Sequence, residues 1–212
     1  MRNYLYILIY GLILCTFMGY AQEDVKLEFT HGPYLQNVSE TAATIFFTTN
    51  KLVVPGVMIK SENDDFELIQ NTTDGLLDVG KNLHKIRIEN LDPGQEYQYK
   101  LYAKEIEVYR PYDVIFGEEL SSKTYSFKTF NSNRKGVNFT VFCDIHDKAD
   151  KLGKYLDSND VATQDCYFLN GDIMGHLEHE RQLFASFIDT CVSRFATQKP
   201  FFYVRGNHET RG

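Results

Sequence analysis

Residues 25 to 130 contain short runs in which apolar and polar positions alternate. The runs lie at residues 41–49, 56–61, 84–89, 97–104 and 125–127. In the first of them, Ala43, Ile45 and Phe47 fall on one face. A two-residue period in several short runs separated by polar turns is typical of strands with one buried face. We therefore expect this part of the chain to form an all-β sandwich.

After residue 136 the pattern changes. Three continuous apolar runs, at 137–143, 166–170 and 201–204, suit strands that are buried on both faces. Apolar positions between them recur at helical spacing, at 149–156 and 184–195. The order strand, helix, strand, helix, strand predicts a parallel sheet with right-handed crossovers.

These patterns divide the chain into two domains. Residues 22–130 are predicted to be the sandwich, and the polar stretch 131–136 is the natural linker. Residues 137–212 are predicted to be the N-terminal part of an α/β domain.

Residues 1–21 have the features of a cleaved secretory signal. Arg2 supplies the positive charge, residues 4–18 are almost wholly apolar, and Gly19 and Ala21 are the small residues before the cleavage point. We expect a secreted or periplasmic protein with no stable membrane span after cleavage. A retained anchor is one alternative. Lipid attachment at Cys15 is another, which the bulky Leu14 before it disfavours.

The net charge and the cysteine content limit the partners and the covalent cross-links that we expect. The formal net charge is −7 and no basic block is present. This balance argues against a nonspecific partner such as nucleic acid or an anionic membrane. Cys143, Cys166 and Cys191 are scattered and form no Cys-x-x-Cys motif, so we expect small buried core residues rather than a disulfide framework.

Three motifs with chemical potential directly follow the three predicted strands of the second domain. They are Asp144-Ile145-His146, Gly171-Asp172 and Gly206-Asn207-His208-Glu209. The carboxyl ends of parallel strands meet at one edge of the sheet, where ligands bind. The glycines before Asp172 and Asn207 allow sharp backbone turns there.

Carboxylate, imidazole and amide ligands suit a pair of divalent ions. Asp144 and His146 can hold one ion, Asp172 can bridge two, and Asn207 can offer an oxygen to the second. A bridging carboxylate brings two ions to within about 4 Å, the spacing used for in-line displacement at phosphorus. His208 could bind a phosphoryl oxygen or protonate the leaving oxygen.

For the other histidines and for Arg205, a structural or surface role competes with a role in the site. His84 shares a face with apolar residues and is expected to pack within the sheet. His31 has no partner nearby in sequence. His176 and His179 could line the pocket, although a solvated loop and helix start is the favoured interpretation. Arg205 could contact phosphate or serve a surface role.

The second-domain motifs resemble those of the calcineurin-like metallophosphoesterase family. Residues 91–99 also resemble the E-to-F corner of a fibronectin type III domain, in which Tyr97 ties the turn back to the sheet. Together the two domains resemble the purple acid phosphatase branch, and Gly-Pro-Tyr-Leu-Gln at residues 32–36 resembles the opening of its N-terminal domain.

The resemblance implies specific roles. The metal ligands would be Asp144, His146, Asp172 and Asn207, with His208 as the substrate-binding or acid residue. Glu209 would lie behind the ligands rather than on a metal. The implied activity is hydrolysis of small phosphate monoesters by water activated between two ions of Mn, Fe or Zn.

Two positions depart from the purple acid phosphatase pattern. Gly175 stands where that branch has a tyrosine ligand, and His146 stands where it has glycine. Without a tyrosinate ligand we expect a colourless enzyme. A tyrosinate-to-metal absorption band in the iron-loaded protein would contradict this expectation.

The family also has downstream histidines, a lone histidine and a Gly-His-x-His motif, that the printed sequence lacks. We therefore expect a C-terminally truncated fragment with weak metal binding and little hydrolysis. One alternative is a secreted binding or adhesion module with a non-catalytic remnant. Another is a phosphodiesterase or nucleotidase of the same family.

Overall fold

The computed structural model describes residues 25–61 and 65–210, so the predicted signal at 1–21 lies outside the described part. The strands are β1 Phe29–Gln36, β2 Ala43–Lys60, β3 Glu67–Ile69, β4 Thr72–Thr73, β5 Leu76–Leu77, β6 Gly80–Ile88, β7 Glu96–Arg110, β8 Asp113–Ser121, β9 Tyr125–Lys128, β10 Phe139–Phe142, β11 Cys166–Asn170 and β12 Phe201–Val204. The helices are α1, Ala149–Asp157, and α2, residues 180–196, with a short 3₁₀ turn at Val161–Thr163. The two-part fold predicted from the sequence is confirmed.

One long strand, β2, belongs to both layers of the sandwich. Its first half pairs with β1 and β6, and its second half pairs with β7 and β3. The register shifts between Thr49 and Val53, where the strand passes from one layer to the other. The sequence pattern predicted two separate strands here, because a bend that changes partners also interrupts the alternation.

The sandwich core is formed by inward-facing side chains of both layers. The largest of its fully buried members include Phe47, Ile45, Ile86, Tyr99 and Leu101. Each lies in a run whose alternation predicted an inward position.

Strand β8 was not predicted from the sequence. It pairs with the second half of β7 and forms a ribbon in which Val114, Ile115 and Phe116 are all exposed. Neighbouring residues 114–116 point to opposite faces and all are exposed, so no alternation of apolar and polar residues marks the strand.

The predicted tyrosine corner is present. The Tyr97 hydroxyl accepts a hydrogen bond from the Asp92 backbone N–H at 2.9 Å, and the Thr129 hydroxyl donates to the Asp92 carbonyl at 2.6 Å. The turn is thereby tied to the strands on both sides. The name fibronectin type III-like for this domain stays a prediction.

His84 is a core residue of the sandwich, as the sequence pattern indicated. Its side chain is buried against Phe47, and its Nε2 lies 2.7 Å from the Thr49 hydroxyl. The Thr49 hydroxyl donates its proton to the Lys51 carbonyl, so His84 Nε2–H must be the donor. Burial lowers the pKa of His84 to about 4.

Replacement of His84 by glutamine is expected to make the fold less sensitive to acid. In the unfolded chain His84 becomes protonated below a pH of about 6.5. In the folded protein, where its pKa is about 4, it stays neutral until the pH is much lower. The free energy of unfolding is therefore unaffected by this group above pH 6.5 and decreases as the pH falls to 4, by up to about 3 kcal/mol. Urea unfolding of wild type and His84→Gln at pH 7 and pH 4 measures the difference. Parallel pH profiles for the two proteins would contradict the prediction.

The second domain is built on the parallel sheet β10-β11-β12, with the strands adjacent in chain order. One face packs against the helices and buries Phe142, Tyr167, Leu169 and Phe201. The predicted helical stripe of α2 lies in the same core.

The opposite face of this sheet is exposed along its first strand, β10. Phe139 and Val141 are 56% and 49% exposed, and Cys143 on the same face is also exposed. The predictions of strands buried on both faces and of a buried Cys143 were therefore wrong for this first strand. Cys166 and Cys191 are buried and unpaired, as expected.

Strand β1 of the sandwich packs into the α/β core. Tyr34, from the Gly-Pro-Tyr-Leu-Gln segment, stacks on Phe46 and lies 5.8 Å from the ring of Phe201. It belongs to the hydrophobic cluster of the second domain. That segment thus joins the two domains.

His31, which had no partner nearby in sequence, lies at the same junction. Its Nδ1 is 3.0 Å from both carboxylate oxygens of Asp189, and its ring stacks on Phe184 of α2 at 4.1 Å. The Tyr99 hydroxyl adds a bond to the Thr197 carbonyl at 2.8 Å. The role of His31 is therefore to join the domains.

Within the part of the chain that the structure covers, none of the helices has the length and apolar character needed to cross a membrane.

Candidate metal centre

The loops after β10, β11 and β12 meet at one edge of the sheet, as the sequence predicted. The Asp144 N–H donates to the Gly171 carbonyl at 3.2 Å, and the His146 N–H donates to the Asp172 carbonyl at 3.0 Å. The Gly171 N–H donates to the Val204 carbonyl at 2.8 Å. These bonds continue the sheet beyond the strand ends and fix the three loops relative to one another.

Two glycines make this close approach possible. Gly171 has φ +79°, in the left-handed region that glycine adopts readily. At Gly206 an added Cβ would lie 2.5 Å from the Asp172 backbone nitrogen and would also collide with its carboxylate. Both glycines were predicted to serve the turn, but Gly206 is needed for closeness rather than for a positive φ.

The loop backbone is held in an uncommon conformation. Asp144, His146, Asp147 and Asp172 have φ values of +56°, +53°, +59° and +52°. Such left-handed residues other than glycine cost free energy and concentrate at functional sites. Their presence in two of the three loops is an independent indication of a site.

Three side chains come together over this edge. The ligand atoms of His146, Asp172 and His208 all lie within 4.8 Å of one another. The two imidazole rings are 4.6 Å apart and nearly perpendicular, at 75°. Two imidazoles and one carboxylate fit a borderline divalent ion such as Zn, Mn or Fe. The donor set is thus compatible with the metal that the sequence predicted.

The sequence prediction differs from this arrangement in one respect. His208 was assigned to substrate or proton transfer, yet it stands with His146 and Asp172 in the candidate group. Asp144 lies at the edge of the group, with its carboxylate 3.7 Å from His146 Nε2 and its side chain 69% exposed. Asn207 is also exposed, between Gly206 and His208. The assignment of Asp144 and Asn207 as ligands stays a prediction.

His208 is fixed by two hydrogen bonds. Its backbone N–H donates to Asp172 Oδ1 at 3.0 Å, and its ring Nδ1 lies 3.0 Å from the Gly175 carbonyl. A carbonyl can only accept, so Nδ1 carries the proton and Nε2 keeps its lone pair. In this tautomer His208 can bind an ion or accept a proton through Nε2.

Glu209 ties two of the loops together from beneath. It is 1% exposed, and its carboxylate accepts bonds from the backbone N–H groups of Asp172 at 3.1 Å, Met174 at 2.9 Å and Gly206 at 2.8 Å. Burial works against ionisation, but these N–H donors outweigh it and hold the pKa of Glu209 below its usual range. The sequence placed Glu209 behind the ligands, and the structure shows a carboxylate that braces them.

Asp147 is a site residue that sequence analysis missed. Its Oδ2 accepts a bond from the Gly175 N–H at 2.6 Å, and its Oδ1 accepts from the Ser186 hydroxyl at 2.6 Å. Its position directly after the Asp-x-His motif was the available signal. The contacts join residues far apart in sequence, so the motif alone could not reveal them.

The remaining polar residues near the edge have structural partners. His176 Nε2 lies 3.1 Å from Glu178, and the His179 N–H donates to the Gln182 side chain at the start of α2 at 2.8 Å. The Arg205 guanidinium donates to the backbone carbonyl of Glu209. These contacts agree with the loop and helix-start interpretation of the two histidines.

Comparisons with known proteins agree with this fold. The sequence profile of calcineurin-like phosphoesterases matches residues 137–212, while no curated protein matches the chain. Among solved structures, purple acid phosphatase PPD1 from yellow lupin (Lupinus luteus) seeds is similar, with 16% identity, a TM-score of 0.59 and 83% of this chain covered. PhoD is also similar, with 11% identity, a TM-score of 0.52 and 87% of this chain covered.

The chain spans 35% of the PPD1 chain and 41% of the PhoD chain. At these identities the similarity concerns the fold, and its coverage of this chain includes both the sandwich and the α/β part. The family profile covers all three motifs and every residue of the candidate centre. Residues 137–212 of this chain are therefore similar in sequence to the calcineurin-like phosphoesterase family.

Proposed function

We propose that this chain carries the first part of the active site of a metal-dependent phosphoesterase that hydrolyses small phosphate monoesters. The observation that carries the proposal is the group His146, Asp172 and His208, with ligand atoms within 4.8 Å of one another at the meeting point of three family motifs. Two ions of Mn, Fe or Zn are proposed for the complete domain, and secretion or a periplasmic location for the protein.

The side chains would act in distinct ways. Asp172 would hold an ion through its carboxylate while its Oδ1 keeps the His208 backbone in place. His146 would bind beside it through an imidazole nitrogen. A bound divalent ion lowers the pKa of its water and stabilises charge on phosphoryl oxygens. His208, with Nδ1–H held by a carbonyl, would bind or take up a proton at Nε2.

Binding of inorganic phosphate tests the proposal directly. The full chain loaded with Mn²⁺ is expected to bind phosphate in calorimetry, and the metal-free chain is not. Asp172→Asn should lose both metal and phosphate binding with the fold retained by circular dichroism. A chain that binds neither ion nor phosphate would favour the binding or adhesion module instead.

We further propose that the 212-residue chain alone hydrolyses phosphate esters slowly. Among the described histidine, cysteine and acidic residues, one group of three side chains could hold an ion. Hydrolysis of p-nitrophenyl phosphate by the Mn²⁺-loaded chain is expected to stay close to that of Asp172→Asn. Turnover well above that of the variant would refute this, and a preference for bis(p-nitrophenyl) phosphate would indicate a phosphodiesterase.

A further inference from the structure

We propose that Asp147 and Ser186 are positioning residues that fix the tautomer and orientation of His208 through the Gly175 peptide. The inference deepens the proposed function, on which its catalytic purpose rests. Its structural content can be tested in the metal-free chain.

A continuous line of hydrogen bonds joins helix α2 to the imidazole of His208. The Ser186 hydroxyl donates to Asp147 Oδ1 at 2.6 Å, and the Gly175 N–H donates to Asp147 Oδ2 at 2.6 Å. On its other side, the Gly175 carbonyl accepts from His208 Nδ1 at 3.0 Å. Bonds to a carboxylate are short and about twice as strong as neutral ones, which suits a rigid support.

The first two members of this line, Ser186 and Asp147, are anchored in the surrounding structure. Ser186 is 7% exposed and lies next to the core residue Phe187 in α2. Asp147 has φ +59°, and its N–H donates to the Ile173 carbonyl at 2.9 Å. The strained loop and the buried serine therefore hold the carboxylate in a fixed place from two directions.

The absence of a side chain at Gly175 is part of the same arrangement. A Cβ at this position would lie 2.8 Å from Asp147 Oδ2, which receives the Gly175 N–H. A larger residue would push the carboxylate away and move the peptide whose carbonyl holds His208. One of the two positions at which this chain departs from the purple acid phosphatase pattern, Gly175, thus supports His208 through its carbonyl.

The consequence concerns the state of the imidazole. The tautomer of a neutral histidine is set by the hydrogen bond that one nitrogen makes. With Nδ1–H held by the Gly175 carbonyl, Nε2 is the nitrogen with a lone pair directed to other partners. Loss of the Asp147 contact would release the Gly175 peptide and let His208 populate both tautomers.

Nitrogen-15 spectra of the imidazole in the full, metal-free chain provide the test. The His208 signals are assigned by their loss in His208→Gln. The variants are Asp147→Ala, Asp147→Asn and Ser186→Ala. The matched controls are Asp150→Ala in α1 and Ser193→Ala in α2. The Ser193 hydroxyl donates to the Thr190 carbonyl and accepts from Arg194, both within α2. Circular dichroism checks that each variant is folded.

Wild type is expected to show the Nδ1–H tautomer of His208. Asp147→Ala and Ser186→Ala are expected to show a mixture of the two tautomers. Asp147→Asn should behave like wild type, because its amide oxygen can accept from Gly175 while its NH₂ donates to the Ser186 oxygen. In titrations with Mn²⁺ alone, affinity should fall about 10–100-fold in Asp147→Ala and be largely restored in Asp147→Asn.

Two results would overturn the inference. One is an unchanged His208 tautomer in a folded Asp147→Ala or Ser186→Ala. The other is an Asp147→Asn protein that behaves like Asp147→Ala, since that would make the charge rather than the positioning the cause. If wild type fixes the tautomer but binds no Mn²⁺, the positioning stands and the phosphoesterase proposal fails.

Discussion

Replacement of Glu209 by alanine is expected to destabilise the α/β domain by about 3–5 kcal/mol, because one buried and two partly buried N–H groups would lose their acceptor at about 1–3 kcal/mol each. These donors belong to Asp172, Met174 and Gly206, which lie in two different loops of the candidate centre. Loss of the carboxylate would therefore loosen the metal-binding loops as well as the fold. Urea unfolding of the full chain, followed by tyrosine fluorescence and circular dichroism, measures the effect.

Comparison of three variants distinguishes the loss of the Glu209 hydrogen bonds from a general effect of mutation on stability. Glu209→Gln can keep the two bonds at Oε2 but turns its NH₂ toward the Met174 N–H, so an intermediate loss is expected. Glu178→Ala, at an exposed carboxylate nearby, should change stability by less than about 0.5 kcal/mol. A Glu209→Ala protein as stable as Glu178→Ala would contradict the role assigned to Glu209.

The second large effect is expected at Gly206. In Gly206→Ala the new methyl group would lie 2.5 Å from the backbone nitrogen of Asp172, and backbone atoms cannot yield as a flexible side-chain end can. Asp172 must move, and with it the carboxylate that holds the His208 N–H. We expect Mn²⁺ affinity to fall by about 10–100-fold and stability by about 1–3 kcal/mol.

Gly80→Ala is the matched control for this change. A Cβ there would meet only His84, at an ordinary contact distance of 3.5 Å, and the φ of Gly80 is not positive. The control should retain the Mn²⁺ affinity of wild type. Equal affinities for Gly206→Ala and wild type would show that the loops are not packed as closely as described.

Much of the α/β domain could be predicted from the sequence. The strands at 166–170 and 201–204 were placed at their observed bounds, because each is a short apolar run with sharp polar ends. The prediction that the three motifs, with Asp144, His146, Asp172 and Asn207, meet at one edge followed from the parallel order of the strands, and the three loops do meet there. The exposure of Cys143 did not, because an apolar run does not tell which of its faces is covered.

The hydrogen bonds that hold the residues of the candidate centre could not be predicted from the sequence, because they join positions far apart in the chain. Asp147 contacts Gly175 across 28 positions of the chain and Ser186 across 39. None of these contacts produces a periodic pattern or a spacing that marks it. The bond between His31 and Asp189, across 158 positions, is of the same kind.

The function of the centre is the central claim, and titration of the metal-free full chain with Mn²⁺ tests it most directly. Electron paramagnetic resonance separates free from bound ion and gives the number of ions per chain. We predict one bound Mn²⁺ whose signal changes on addition of inorganic phosphate, and whose binding is lost in Asp172→Asn but kept in Glu178→Gln. Absence of bound Mn²⁺ in wild type, or equal binding in Asp172→Asn, would contradict the assignment of His146, Asp172 and His208 as a metal centre.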